Sequence, residues 1–266
     1  GNAAEPNRLF LQEEGRWIDR SEAWGLDLGV EAMGIAVADV DLDGRLELAV
    51  SDAEGRFHLL TLSADQAIDR TVSWEVGPDD ALFRDSWGLR FADLDKDGNE
   101  DLLIPYGSIG NAIDGVIDQQ LALRCWNGEA FVGRNDLVPP LPAPWWRSIL
   151  PADLDGDGSL DLVQTAAFGA PAVLLGGGGG GGWLSITLDD GNPGNRSGLG
   201  ALVELDIGPQ RRRIGAGNAG LSSSLPPAAW FGMGSAPEAR ILVTWPDGGT
   251  TEVGPFAANQ AVVVER

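Results

Sequence analysis

The chain has 266 residues, is 43% hydrophobic and carries a formal net charge of −22. This size allows one large or two medium domains with a substantial core. A protein this acidic repels nucleic acids and anionic lipid surfaces, so neither is an expected partner. The sequence has no apolar run of about 18 residues, the length that would indicate a transmembrane segment. Its one cysteine, Cys125, excludes an internal disulfide and a metal site built from several thiols.

Short alternating stretches, bounded by glycine, proline and aspartate, predict β-strands along much of the chain. They fall at residues 7–12, 16–19, 34–38, 48–50, 56–62, 71–76, 87–91, 102–104, 121–125, 129–132 and 172–175. Residues 19–25 and 107–118 are expected to be loops, and the proline-rich residues 139–144 a stiff connector. No apolar stripe with helical spacing runs for more than two turns, so an all-β fold is expected.

One nine-residue pattern occurs three times, at residues 39–47 (loop 1), 93–101 (loop 2) and 153–161 (loop 3). Each copy has acidic residues at positions 1, 3, 5 and 9, and a glycine at position 6 that permits a sharp turn. Four carboxylates on one turn suit a calcium ion, and the backbone carbonyl at position 7 is a further candidate ligand. The predicted ligands are Asp39, Asp41, Asp43, Arg45 and Glu47 in loop 1, Asp93, Asp95, Asp97, Asn99 and Asp101 in loop 2, and Asp153, Asp155, Asp157, Ser159 and Asp161 in loop 3.

The loops have two other interpretations. A metal-free acidic turn is common because Asp and Gly favour turns, but three copies in one register favour calcium. An EF-hand also begins D-x-D-x-D-G, but it needs a glutamate at position 12 and flanking helices. Position 12 here is Val50, Ile104 or Gln164, and the flanks are short and β-like. Each loop is therefore predicted to be the tip of a β-hairpin, with position 9 on the outgoing strand.

The spacing of the loops indicates a repeated unit. They begin at residues 39, 93 and 153, which are 54 and 60 residues apart. About four short strands in a repeat of this length are typical of a β-propeller blade. Residues 7–10 and 33–44 resemble the FG-GAP/VCBS repeat, also found in integrin α-subunit propellers, and the resemblance extends over residues 7–175. It implies a calcium site in each loop, and Glu47, where that family usually has aspartate, is expected to weaken or distort loop 1.

The remainder of the chain carries a second resemblance. Its alternating strands, broken by glycine, proline and asparagine, predict a small β-sandwich or barrel. Residues 183–188, 195–205, 230–234, 241–248 and 258–262 resemble the ASPIC/UnbV domain, which follows such repeats in the cartilage acidic protein family. The predicted organisation is a propeller segment at 1–175, a poly-Gly linker at 176–182 and an ASPIC/UnbV-like domain at 183–266.

Three loop-bearing repeats and a leading strand pair are too few to close a propeller, which typically has about four to eight blades. The fold class predicted here is therefore all-β, with a partial β-propeller followed by the small sandwich or barrel. We expect the rest of a longer chain, or another subunit, to complete the propeller.

Residues suited to catalysis are scarce. His58, the one histidine, is expected to be a packed strand residue, and no G-x-S-x-G, H-E-x-x-H or P-loop motif occurs. The carboxylate pairs that a glycosidase needs lie within the metal loops. The basic run 211–213 is expected to be either a solvated edge or a docking point for an acidic surface, such as the chain's own propeller. The ten tryptophans are expected to pack between strands rather than form a carbohydrate platform.

These features predict an exported calcium-binding protein located outside the cell, at its surface or in the periplasm, where calcium is abundant enough for sites of modest affinity. It would hold about three structural calcium ions and act as a binding, adhesion or assembly module with a protein or glycan partner. No enzymatic activity is expected. The alternatives are a carbohydrate-active enzyme that uses propeller carboxylates and a structural subunit of a larger surface or membrane-associated complex.

Overall fold

The computed structural model of the chain consists mainly of short β-strands, which confirms the all-β prediction. It describes residues 6–266 except 54–56, 77–84, 108–120, 140, 142–145, 168, 179, 216–218 and 221–222. Most of the loop predicted at 107–118 and of the connector at 139–144 lies outside the described residues. No helix among the described residues is long and apolar enough to span a membrane.

The first described strands form the predicted hairpin. β1 (Phe10–Glu13) pairs antiparallel with β2 (Arg16–Asp19). Glu14 and Gly15 between them have positive φ angles of 50° and 77°, as a tight two-residue hairpin turn requires. One helical turn, α1 (Ser21–Trp24), follows where the sequence predicted a loop.

Three antiparallel sheets follow, and each is a meander with its strands in chain order. The first contains β3 (Ala32–Ala38), β4 (Glu47–Asp52), β5 (His58–Leu62) and β6 (Ala67–Asp69). The second contains β7 (Arg90–Ala92), β8 (Asp101–Pro105), β9 (Leu121–Trp126) and β10 (Phe131–Gly133), after which a 3-10 turn spans Asn135–Leu137. The third contains β11 (Trp146–Ala152), β12 (Asp161–Ala166) and β13 (Ala172–Leu174). Each loop joins the first two strands of one sheet.

The apolar cores of this region lie between neighbouring sheets. Leu102 and Ile104 of β8 face a core shared with Leu59 of the first sheet. Leu103, which points to the opposite face of β8, joins a core with Ile149 of the third sheet. The second sheet is therefore covered on both faces, and this explains why β8 is continuously apolar rather than alternating.

The C-terminal sandwich comprises residues 182–266 and has its own core. In one sheet, β14 (Gly182–Asp189) lies between β19 (Ala228–Gly234), antiparallel, and β22 (Gln260–Glu265), parallel. The other sheet has the order β16 (Arg211–Arg213), β15 (Leu202–Leu205), β20 (Glu238–Thr244) and β21 (Thr250–Ala257). A short ladder joins β17 (Ala219–Gly220) to β18 (Ser223–Ser224). Alternate residues of β20 face the core, as in a sheet with one solvated face.

Several predicted strand boundaries differ from the structure by a few residues, as at 87–91, where β7 spans Arg90–Ala92. Two further differences concern residues 71–76 and Gly182. The strand predicted at 71–76 is wrong: these residues form turns, because the amide of Trp74 bonds to the carbonyl of Arg70 and that of Val76 to Thr71. β6 takes the fourth place in that sheet. Gly182, predicted to lie in the linker, is instead the first residue of β14.

Candidate metal centre

The first and last acidic residues of each loop lie at the ends of the two flanking β-strands. Position 1 of each loop directly follows the incoming strand, and position 9 is the first residue of the outgoing strand. Position 9 is Glu47, Asp101 or Asp161, and all three side chains are buried. The loops are therefore hairpin tips, as the sequence predicted, and neither flank is a helix.

The same four hydrogen bonds recur in all three loops. Each acidic side chain accepts at least one backbone N–H of its own loop. In all three loops, position 1 accepts from position 6, position 3 from position 5, position 5 from position 7, and position 9 from position 2. In loops 1, 2 and 3, the donor–acceptor distance to the position 1 carboxylate is 3.1, 2.9 and 3.0 Å, and to the position 3 carboxylate 3.2, 3.3 and 3.1 Å. The distance to the position 5 carboxylate is 2.8, 2.8 and 2.7 Å, and to the position 9 carboxylate 2.8, 3.1 and 2.7 Å. Three segments far apart in sequence thus fold into one local hydrogen-bonded structure.

Two positions of each loop have left-handed backbone. Position 6, the predicted glycine turn, has φ angles of 95°, 99° and 81° at Gly44, Gly98 and Gly158. Position 4 is also left-handed, with φ of 58° at Leu42, 64° at Lys96 and 80° at Gly156. Sequence reasoning missed position 4, because glycine occurs there in one copy out of three.

The carboxylates converge in groups of three. In each group, one potential ligand atom from every residue lies within 4.8 Å of the others. The groups are Asp39, Asp41 and Asp43 in loop 1, Asp93, Asp95 and Asp97 in loop 2, and Asp153, Asp155 and Asp161 in loop 3. Glu47, Asp101 and Asp157 were also predicted as ligands and lie outside these groups. At position 7 of loop 1, the Arg45 side chain forms an ion pair with Asp43.

Buried acids in loops 1 and 2 are destabilised as anions. Burial raises the pKa of Glu47 and of Asp93 to about 7, and that of Asp101 to about 8. Burial and the neighbouring carboxylate also raise the pKa of Asp41 and of Asp95. In addition, Glu47 Oε1 is buried without a hydrogen-bond partner. All of these groups would be stabilised by a nearby dication, so the donor set fits a metal such as calcium.

The C-terminal part of the chain is similar to a known protein family. Residues 191–266 match the family model described as ASPIC and UnbV. This part of the chain is similar to an ASPIC/UnbV domain and is called by that name below. Cartilage acidic protein 1 is 25% identical over 269 residues in mouse and 25% identical over 261 residues in human. Each alignment covers 93% of this chain but 39% of the mouse protein and 38% of the human protein, so the chain spans about two-fifths of these relatives.

The ASPIC/UnbV domain contacts loops 1 and 2 through charged and backbone groups. Arg211 Nε donates to Asp39 Oδ2 at 2.6 Å, and Arg212 Nε lies 2.5 Å from Glu100 Oε1. Arg213 instead stays exposed and donates to a carbonyl within its own domain. Two arginines of the basic run thus dock on acids of the repeats, and the solvated-edge interpretation holds for the third alone.

The glycine at position 6 has a second role in every loop. A methyl group at Gly44 would overlap the Arg211 guanidinium, and one at Gly98 would overlap the Gln210 amide. At Gly158 it would overlap the indole of Trp183, which lies in β14 just before the ASPIC/UnbV domain. The glycine that allows the turn also allows close approach of the C-terminal sandwich, a contact that the loop sequence alone did not reveal.

Most residues considered for other roles contact neighbouring residues or are buried. His58 Nδ1 lies 3.3 Å from Asp69 Oδ2 on neighbouring strands. Burial raises the pKa of the Cys125 thiol, which disfavours a nucleophilic thiolate. Trp146 and Trp245 are fully buried, whereas Trp17 is exposed.

Proposed function

We propose that this chain is a calcium-binding module in which each loop holds one structural ion, about three in all. The observation that carries the proposal is the repeated hydrogen-bond pattern, which orients a converging group of three carboxylates in every loop. Each of these carboxylates accepts at least one backbone N–H, and its oxygens have further lone pairs for a cation.

Calcium suits this donor set better than other common metals. The ligands are oxygens, without the imidazole or thiolate groups that favour zinc or copper. Calcium accepts six to eight oxygens in a flexible shell, whereas magnesium requires near-ideal octahedral geometry and retains several waters. The role proposed for the ion is structural, because it would neutralise buried acids and fix the hairpin tips.

We further propose that residues 7–175 are FG-GAP/VCBS-type blades of a β-propeller. The support is the stacking of three meander sheets with apolar cores between neighbours. Three such sheets are fewer than the four to eight blades of typical propellers. The rest of a longer chain, or another subunit, would supply the others.

The proposed setting is outside the cell, as a binding, adhesion or assembly module with a protein or glycan partner. Similarity to cartilage acidic protein 1 supports an extracellular type of protein. The net charge of −22 argues against nucleic acid and anionic lipid as partners.

The test is a calcium count and a thermal melt of wild-type protein, Asp95→Ala and the control Asp65→Ala. Asp65 is an exposed acid in the turn between β5 and β6, outside the loops. Wild-type and Asp65→Ala should bind about three calcium ions, and Asp95→Ala about one fewer. Calcium at tenfold its dissociation constant should add about 1.4 kcal/mol of stability per filled site. Wild-type protein that binds no calcium, or Asp95→Ala that loses none, would refute the proposal.

A further inference from the structure

Asp39 has two possible cationic partners. It occupies position 1 of loop 1, is 5% exposed and accepts the Gly44 amide. The same Oδ2 atom accepts the Arg211 guanidinium at 2.6 Å. The ASPIC/UnbV domain therefore places a fixed positive charge on a carboxylate that the proposed calcium site also needs.

The contact at loop 2 is of another kind. There the position 1 carboxylate, Asp93, accepts the backbone N–H of Gly232 at 2.9 Å, a neutral donor. The nearby Arg212 forms an ion pair with Glu100, an acid at position 8 that is not a proposed ligand, and acts on Asp93 through its charge. At loop 3 the contact is the Trp183 indole. Among the described residues, a cationic side chain of the C-terminal sandwich bonds directly to a ligand carboxylate in loop 1 alone.

Loop 1 also contains a buried carboxylate oxygen that has no hydrogen-bond partner. Glu47, at position 9, is 0% exposed, and its Oε1 atom has no hydrogen-bond partner. Arg211 thus bonds Asp39 and not Glu47, whose other oxygen, Oε2, accepts the Val40 amide.

We propose that Arg211 sets the calcium affinity of loop 1 by competing with the ion for the charge of Asp39. This inference rests on the calcium-binding function proposed above. Two cations drawn to one buried carboxylate repel each other, so the Arg211 contact lowers calcium affinity at loop 1. Because coupling between two binding events is reciprocal, calcium in loop 1 weakens the contact between β16 and the first sheet by the same factor. Filling of loop 1 and docking of the ASPIC/UnbV domain at that point oppose each other.

The test compares Arg211→Gln with Arg213→Gln. Both variants remove one positive charge from β16, but Arg213 is exposed and contacts its own domain. Calcium is titrated calorimetrically into the metal-free form of each full-length variant. Asp41→Ala, which removes a ligand of loop 1, identifies the heat that belongs to this loop.

We expect Arg211→Gln to raise calcium affinity at one site on the order of tenfold, as removal of a nearby like charge from a partly buried site should. Arg213→Gln should leave that affinity within about twofold of wild type, because exposed charges are screened. The gain in calcium affinity should be absent from the double variant Arg211→Gln/Asp41→Ala, because that variant lacks a ligand of loop 1. Arg211→Lys keeps the positive charge, so its calcium affinity at loop 1 should equal that of wild type. This comparison separates the effect of the charge from that of the packing of the side chain.

Two outcomes would overturn the inference while leaving the proposed function intact. The first is three filled sites in wild type with the same loop 1 affinity in Arg211→Gln and Arg213→Gln. The second is lower affinity in Arg211→Gln, which would make Arg211 a residue that orients Asp39 for the ion. Wild-type protein that binds no calcium would instead refute the proposed function, and the inference with it.

Discussion

The buried acids of loops 1 and 2 predict that metal-free protein loses stability as the pH rises. Burial raises the pKa of Glu47 and Asp93 to about 7 and of Asp101 to about 8 in the folded state, against ordinary values near 4 in the unfolded chain. The folded state therefore binds these protons more tightly. Their stabilising contribution is complete below about pH 4 and is lost as the pH rises through 7 to 8.

The size of this loss of stability can be worked out from the pKa shifts of the three acids. One pKa unit corresponds to about 1.4 kcal/mol, so the smallest of the three shifts, that of Glu47 from 4.5 to about 7, amounts to about 3 kcal/mol. The three groups interact, so their contributions do not simply add. We expect the free energy of unfolding of metal-free protein to fall by about 3 kcal/mol or more between pH 5 and 8. Excess calcium should reduce or abolish the fall, because it holds the carboxylates ionised.

The assay is urea denaturation at pH 5, 6, 7 and 8, with metal-free protein and again with excess calcium. Glu47→Gln should flatten the pH dependence of the metal-free protein, whereas the exposed-site control Asp65→Asn should not. Calorimetry in two buffers of different ionisation enthalpy should show protons released when calcium binds at pH 6. Metal-free stability that stays constant or rises over this range would refute the reasoning.

Two further predictions concern glycines at the contact between the loops and the C-terminal sandwich. Gly232→Ala would place a methyl group against the loop 2 backbone and its position 1 carboxylate, so it should destabilise the folded protein by about 1–3 kcal/mol in urea denaturation. Gly208→Ala, in open space within the same domain, should lower the free energy of unfolding by less than 1 kcal/mol. If Gly232→Ala and Gly208→Ala were equally destabilising, the contact between Gly232 and loop 2 would be contradicted. Gly158→Ala should destabilise more than Gly98→Ala, although both are position 6 glycines with positive φ, because a rigid indole faces the first and the end of a flexible amide side chain faces the second. The reverse order would show that the contacts differ from those described.

Sequence reasoning located the loops and hairpins because their determinants are local. The hydrogen bonds that shape each loop join residues at most seven positions apart, as from Val40 to Glu47. The spacing of acids and glycine therefore specifies the structure directly. The same reasoning failed at residues 71–76, where alternation predicted a strand. Local turn hydrogen bonds prevail there, Val72 is exposed, and the Trp74 ring packs against Trp126.

The sequence by itself determined that the protein is all-β, that three acidic hairpin tips repeat in it, and that an ASPIC/UnbV domain follows. Only the tertiary structure decided what faces those tips. Arg211 and Asp39 are 172 positions apart, and Gly232 and Asp93 are 139 apart. No local pattern links such pairs, because their contact depends on how regions with separate cores pack together. The physical reason is that turn chemistry acts over a few residues, whereas the charge balance of a buried carboxylate depends on whatever the whole fold places beside it.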